Sequence, residues 1–158
     1  MEVLYKSILT LAPNAKLNKN IIFHMEPMPL ILTEDNIINI IGCLSIQIEN
    51  LTKLGYGIIG IDFEDLIQIR DKVFFINPNK LYKLNQDKYM TLTKPIKQPQ
   101  YSSEIPKELP AKIYYTASYY SLGKLVEEMA VYVPDNSKLF HFIRRTKKDE
   151  KKRQLLFI

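Results

Sequence analysis

The sequence predicts an α+β fold, mainly α with a small β-hairpin, in a single domain over residues 1–158. Apolar residues recur at helical spacing along residues 34–54, which predicts a long and deeply buried helix. Two apolar runs, 66–69 and 73–76, lie on either side of a short connection from Arg70 to Lys72, which predicts a tight hairpin. Of the 158 residues, 46% are apolar, enough for one hydrophobic core.

The N-terminal part of the chain predicts two further elements before the long helix. Residues 2–11 form an amphipathic pattern that indicates a short helix. The run Ile21–Met25 is β-branched and aromatic, which favours a buried strand, and the prolines in 26–29 end it because proline cannot donate to a ladder. Thr33 is the expected N-cap of the long helix, and Gly55 and Gly57 are expected to end it.

The C-terminal half predicts one long loop and two helices. Residues 77–112 hold several prolines and show no regular pattern, so we expect a long loop, and long loops inside compact domains are usually functional. Residues 119–129 and 137–146 have the spacing of buried helices.

Charge and cysteine content restrict the classes of site. The net charge is +5, and the basic residues within 144–153 carry seven positive charges, more than the whole net excess. A local basic surface for RNA, an anionic lipid surface or an acidic partner is one interpretation, and a solvated helix face is the other. Cys43 is the sole cysteine, and His24 and His141 lack metal-ligand spacing. We expect an intracellular, cytoplasmic protein without a transmembrane segment.

Two segments carry a family resemblance. The run Ser118–Leu125 resembles the "D-x-W-S-L-G" segment of protein kinases, and the run Asp149–Arg153 resembles their "D-P-x-x-R" segment. The order of predicted elements is similar to a kinase C-lobe with the N-lobe largely missing. The resemblance makes residues 1–29 a remnant of the N-lobe and hinge, and residues 77–112 an activation-segment-like loop. Its nearest likeness is to kinase-like proteins of large DNA viruses, which implies a virus-encoded protein.

The resemblance implies a degenerate catalytic loop. Aligned on the hairpin, Gly60 takes the position of the catalytic base and has no side chain to accept a proton. Asp65 takes the position of the metal-binding asparagine, and Asn77 replaces the "D-F-G" aspartate, where a neutral amide holds magnesium poorly. Ser118 replaces the aspartate that braces the catalytic loop, which implies that this bracing is lost.

Other readings of the acidic residues stay open. Asp62-Phe63-Glu64 itself resembles "D-F-G", and a compressed loop makes Asp62 the base. Without any kinase alignment, Asp62, Glu64 and Asp65 form either a solvated acidic turn or paired carboxylates that bind a cation.

The resemblance also implies a structural ion pair between Glu104, at the end of the activation-segment-like loop, and Arg153. A guanidinium fork suits a carboxylate bidentately, so this pair would tie the long loop to the C-terminal segment.

Three functions follow as expectations. The first is a pseudokinase-like interaction domain without phosphoryl transfer or cofactor, which binds a protein partner or a second copy through the apolar surface that an N-lobe normally covers. The second is an active or residual protein kinase that uses ATP and Mg²⁺ through a nonstandard register or a partner's N-lobe. The third is a basic module for nucleic acid or an anionic surface.

Overall fold

The computed structural model describes residues 2–11, 33–95, 108–133 and 138–155. Its elements confirm the α+β class. The described helices are α1 (Glu2–Leu11), α2 (Glu34–Lys53), α3 (Ala117–Met129) and α4 (Lys138–Thr146). The described strands are β1 (Tyr56–Ile58), β2 (Leu66–Ile69), β3 (Lys72–Phe75), β4 (Leu81–Lys83), β5 (Tyr89–Leu92) and β6 (Ala111–Tyr114).

The central helix α2 begins and ends where the sequence predicts. The Thr33 hydroxyl accepts from the Asn36 amide at 3.2 Å, and Asn36 Oδ1 accepts from the Thr33 amide at 3.3 Å, so each residue satisfies a free donor of the first turn. Gly55 follows the helix with φ of +88°, a left-handed conformation that glycine adopts at little cost. The buried face of α2 contacts α1, α3, β1 and β3, so this helix is the centre of the main core.

A buried glutamine joins three of these elements. The Gln47 side chain on α2 accepts from the Phe75 amide at 2.7 Å and donates to the Phe75 carbonyl at 2.9 Å. Its amide nitrogen also lies 3.0 Å from the hydroxyl of Ser7 on α1. The Gln47 side chain therefore pairs with the backbone of β3 as a neighbouring strand would, and its polar atoms are satisfied inside the core.

The predicted hairpin is confirmed. Strands β2 and β3 pair antiparallel, with Ile69 opposite Lys72, so the turn itself contains Arg70 and Asp71. Arg70 has φ of +58°, as a two-residue hairpin turn requires.

The prediction of a continuous loop over residues 77–112 is wrong for the described part of that range. A 3₁₀ turn at Pro78–Lys80 leads into β4, which pairs with β1, and β5 pairs with β6. The described residues thus hold three two-stranded sheets rather than one hairpin. These strands have three or four residues, too few for a clear alternation in the sequence, and their partners are distant in the chain.

The backbones of helices α3 and α4 lie very close together. A Cβ built on Gly123 of α3 would lie 1.8 Å from Oγ1 of Thr146 on α4, so the two backbones approach as they do because residue 123 has no side chain. Both helices confirm the prediction, although α3 begins at Ala117, before the predicted Tyr119.

Two predictions lie outside the described residues: the strand Ile21–Met25 with the hinge-like residues 26–29, and the loop end that carries Glu104. Within the described ranges, no helix is long and apolar enough to cross a membrane.

Candidate functional site

The turn between β1 and β2 brings two of the predicted acidic residues to one lysine. Asp62 precedes a 3₁₀ turn at Phe63–Asp65, and Lys80 ends the 3₁₀ turn that precedes β4. The ammonium of Lys80 lies 2.8 Å from Oδ2 of Asp62 and 2.6 Å from Oδ2 of Asp65. The ammonium of Lys80 therefore occupies the position between these two carboxylates.

The carboxylate of Asp65 is buried, with 3% of its surface exposed, and each of its oxygens has a donor. Oδ2 accepts from the Asp62 amide at 2.9 Å as well as from Lys80, and Oδ1 accepts from Nδ2 of Asn77 at 2.8 Å. Asp65 and Asn77, which the kinase alignment assigns to metal binding, are thus in contact. They do not fit a magnesium site, because the amide presents its nitrogen to the carboxylate and the ammonium takes the cation's position.

The pKa of Lys80 follows from two opposing influences. Partial burial lowers it, but the hydrogen bonds and charges of Asp62 and Asp65 outweigh burial, so the pKa lies above its ordinary value. Lys80 therefore stays charged at neutral pH and offers no proton acceptor to a reaction.

Gly60, the predicted position of the catalytic base, serves the backbone. It has φ of +80°, a conformation that a residue with a Cβ rarely adopts, so the glycine suits this turn on structural grounds. Its amide donates to Oγ of Ser121 on α3 at 3.0 Å.

The expectation that the loop has lost its bracing is wrong. The Ser118 hydroxyl accepts from the Ile58 amide at 2.9 Å and donates to the Ile58 carbonyl at 2.9 Å. Together with Ser121, it ties the backbone of residues 58–60 to the start of α3. Two short hydroxyl side chains reach the buried strand because β1 lies directly against α3.

The remaining acidic candidate stands apart from the network. Glu64 is exposed, as is Phe63, at 38% of its surface. The solvated-turn interpretation fits Glu64, whereas Asp62 and Asp65 are paired with Lys80.

Arg153 is half-buried at the C-terminal turn. Its Nε donates to the carbonyl of Lys148 at 2.8 Å, and its guanidinium lies 5.2 Å from the ring centre of Tyr120. Burial lowers its pKa, partly offset by the charges of Glu150 and Asp149, and an arginine remains charged in any case. Its predicted partner Glu104 is outside the described residues, so that ion pair stays a prediction.

A second group of side chains lies on and beside the two-stranded ribbon of β5 and β6. We call it the tyrosine–lysine face, defined by Lys88, Tyr89, Lys112, Tyr114, Tyr115 and Lys151. The rings of Tyr89 and Tyr114 have centres 5.1 Å apart, and those of Tyr114 and Tyr115 are 4.7 Å apart. Lys151 lies 3.7 Å from the ring centre of Tyr114, within the range of a cation–π contact.

Sequence reasoning missed Lys80 and Ser121. Lys80 follows Asn77 by three positions, but its place beside Gly60 depends on the pairing of β1 with β4, where the Ile59 amide donates to the Lys80 carbonyl. The helical spacing of Ser118 and Ser121 placed both hydroxyls near one helix face, and that signal was present in the sequence.

Comparisons with known proteins assign no family. No protein-family model matches the chain, and a search of curated proteins finds no match. Within the described ranges, no group of three or more histidine, cysteine or carboxylate side chains could hold a metal ion.

Proposed function

We propose that this chain is a kinase-like interaction domain that binds a protein partner or a second copy of itself and transfers no phosphoryl group. The observation that supports the proposal is the Lys80 ammonium held between Asp62 and Asp65. Kinase chemistry needs magnesium ions to neutralise charge on the transferred phosphate. In the aligned register, Asp65 takes a metal-binding position, and its carboxylate is already paired with this internal lysine.

The other aligned positions support the same reading. Gly60 supplies a backbone conformation and no base, and Asn77 supplies a hydrogen-bond donor to Asp65 rather than a negative charge. Ser118 and Ser121 hold the same loop against α3, which supports a role of this region as a scaffold. A braced turn whose carboxylates are paired with a lysine suits a domain that acts by binding a partner through its surface.

Exposed apolar side chains supply contact area for a partner. Large hydrophobic residues with more than a third of their surface exposed lie on several described elements: Ile46, Leu54, Phe63, Leu109 and Val131. Single exposed residues are common on any protein, so the binding surface must be located by substitution.

The test is a thermal-denaturation titration with ATP in the presence and absence of Mg²⁺. Binding to the folded state raises the melting temperature in proportion to the logarithm of ligand concentration. We expect no magnesium-dependent shift for the wild type. The double variant Lys80→Met with Asn77→Asp removes the internal cation and adds a carboxylate beside Asp65, so we expect it to gain a shift with Mg²⁺ or Mn²⁺.

Lys83→Met with Asn79→Asp is the matched control, because both residues are exposed on the same segment and these two changes alter the net charge as much as the test variant does. Magnesium-dependent nucleotide binding by the wild type, or phosphoryl transfer that Asp65→Ala abolishes, would refute the proposal. Sedimentation velocity over a range of concentrations then separates self-association from binding of a different chain, and Phe63→Ser is the first surface variant to compare.

A further inference from the structure

The ribbon of β5 and β6 has one buried face and one solvent-facing face. Met90 and Ile113 are opposite each other and buried, and they pack with Ile59 in a small second core. Side chains alternate along a strand, so the residues between them point away from the core. The outward pairs are Tyr89 with Tyr114 and Thr91 with Lys112. This outward face carries two aromatic rings and a lysine, with no carboxylate among its four residues.

The aromatic rings continue beyond the ribbon. The ring planes of Tyr114 and Tyr115 meet at 60°. The ring centre of Tyr119, at the start of α3, lies 5.8 Å from that of Tyr115. Tyr89, Tyr114 and Tyr115 are each only partly buried. The tyrosines thus form a continuous strip of partly exposed rings from the ribbon to the helix.

Lysines cover the rings of this strip. Lys88 lies 5.2 Å from the ring centre of Tyr115, and Lys151 lies 5.3 Å from that of Tyr89 as well as over Tyr114. Both lysines are exposed. Lys151 comes from the C-terminal turn, which the Thr116 hydroxyl holds in place by donating to the Glu150 carbonyl at 2.6 Å.

We propose that the tyrosine–lysine face binds single-stranded nucleic acid, with unpaired bases stacked on the tyrosine rings and phosphates bound by Lys88, Lys112 and Lys151. Surfaces that bind single strands without sequence preference combine a positive track for the backbone with aromatic rings for the bases. Both components are present here on adjacent residues. This inference is independent of the proposed loss of kinase chemistry.

The chemistry of the rings favours a nucleic acid over an acidic peptide. The face of a tyrosine ring carries negative charge density, so it attracts the lysine ammonium and repels a carboxylate. An acidic peptide would use the lysines and gain nothing from the ring faces. A ligand with both phosphates and flat bases uses both, since each ammonium can move from a ring to a phosphate as a base takes its place.

The test is fluorescence anisotropy with a labelled oligouridylate and a labelled oligodeoxythymidylate of about 12 nucleotides, in the range of single-strand site sizes. We expect binding with a slope of log K against log salt of about −2, as three phosphate contacts to a single strand predict. Tyr114→Leu and Tyr89→Leu should each weaken binding about tenfold, whereas Tyr114→Phe, which keeps the ring, should bind as the wild type does. The two oligonucleotides distinguish RNA from DNA as the source of the single strand.

Three controls keep the outcome decisive. Lys53→Gln removes an exposed positive charge from the last turn of α2 and should change affinity little, whereas Lys151→Gln should reduce the salt slope by about 0.7. Melting curves show whether the leucine variants stay folded, and Lys151→Gln, which changes an exposed residue, keeps the test valid if they do not. Equal affinity for inorganic polyphosphate or polyglutamate, or oligonucleotide binding that the leucine variants retain in full, would overturn the proposal, as would no binding at low salt.

Discussion

The acidic turn around Lys80 and the tyrosine–lysine face both surround a lysine ammonium, but they offer it different partners. Lys80 is 25% exposed and pairs with two carboxylates, one of them buried. Lys151 is exposed and lies against two aromatic rings. A buried carboxylate requires its counter-ion, whereas an exposed ring only attracts one. The first lysine is therefore a structural residue and the second is free to take another ligand.

The largest effect should come from removing the cation of the acidic turn. Lys80→Met leaves the buried carboxylate of Asp65 without its counter-ion, and we expect the free energy of unfolding to fall by about 3 kcal/mol. Urea denaturation measures this difference. Lys83→Met, which removes an exposed charge nearby, should change it by less than about 0.5 kcal/mol. Equal effects of the two variants would show that the acidic turn is as solvated as the surface.

The bracing serines give the next effect. Ser118→Ala leaves the buried amide and carbonyl of Ile58 without this partner, and we expect a loss of about 2 kcal/mol in unfolding free energy. Ser45→Ala is the control, because Oγ of Ser45 is buried and has no hydrogen-bond partner among the described residues. That change should be neutral or stabilising. The comparison fails if the two alanine variants melt at the same temperature.

Arg153 lies in the same C-terminal turn as the exposed Lys151 but is half-buried, so it extends the comparison. Arg153→Ala removes the hydrogen bond to Lys148 and the contact with Tyr120, so we expect a loss of about 1–2 kcal/mol. Lys152→Ala, an exposed neighbour, should cost less than about 0.5 kcal/mol. A double-mutant cycle with Glu104→Ala then measures the predicted ion pair, and a coupling energy near zero would remove that part of the kinase alignment.

Alkaline pH tests Tyr119, the tyrosine of the strip that lies at the start of α3. Burial first, and then the neighbouring Tyr115, raise the pKa of Tyr119 above its ordinary value. The unfolded chain therefore loses this proton near pH 10 while the folded protein keeps it, so stability is complete below that pH and falls above it. Tyr119→Phe should lose about 1 kcal/mol less than the wild type between about pH 9 and about pH 11, a value discounted for partial exposure. Identical alkaline unfolding curves would contradict this assignment.

The smallest effect is expected at the exposed lysine. Lys151→Gln should change the unfolding free energy by less than about 0.5 kcal/mol, because cation–π contacts at exposed sites are weak. Thermal melting compares this variant with Lys80→Met directly. A loss as large as that of Lys80→Met would make Lys151 a structural residue and remove the contrast between the two regions.

The helices were predictable because their signals are local. Thr33, the apolar spacing along α2 and Gly55 lie next to one another in the chain, and each acts within one or two turns. The strands β4, β5 and β6 were missed because the residues with which they pair lie far away in the sequence. Tyr56 pairs with Lys83, and Tyr89 pairs with Tyr114. A three-residue strand has no alternation that could reveal it.

The candidate site shows the same division. The sequence grouped Asp62 and Asp65 with Glu64 as acidic residues, and the kinase alignment separately grouped Asp65 with Asn77. The structure joins Asp62 and Asn77 to Asp65 and leaves Glu64 exposed. It could not mark Lys80, because a lysine after a proline turn has no distinguishing pattern until β4 lies beside β1. The tyrosines were evident as residues, but their exposure on one strand face depends on a register that the sequence does not reveal.

The glycine at position 123 has a consequence far from its own contact. The absence of a Cβ lets α4 lie against α3, and the turn after α4 carries Lys151 to the rings of Tyr89 and Tyr114. A methyl group at Gly123 would push α4 outward and shift that turn with it, although no atom of the tyrosine–lysine face had been altered. The spacing between two interior helices thus sets the position of a charge on the surface.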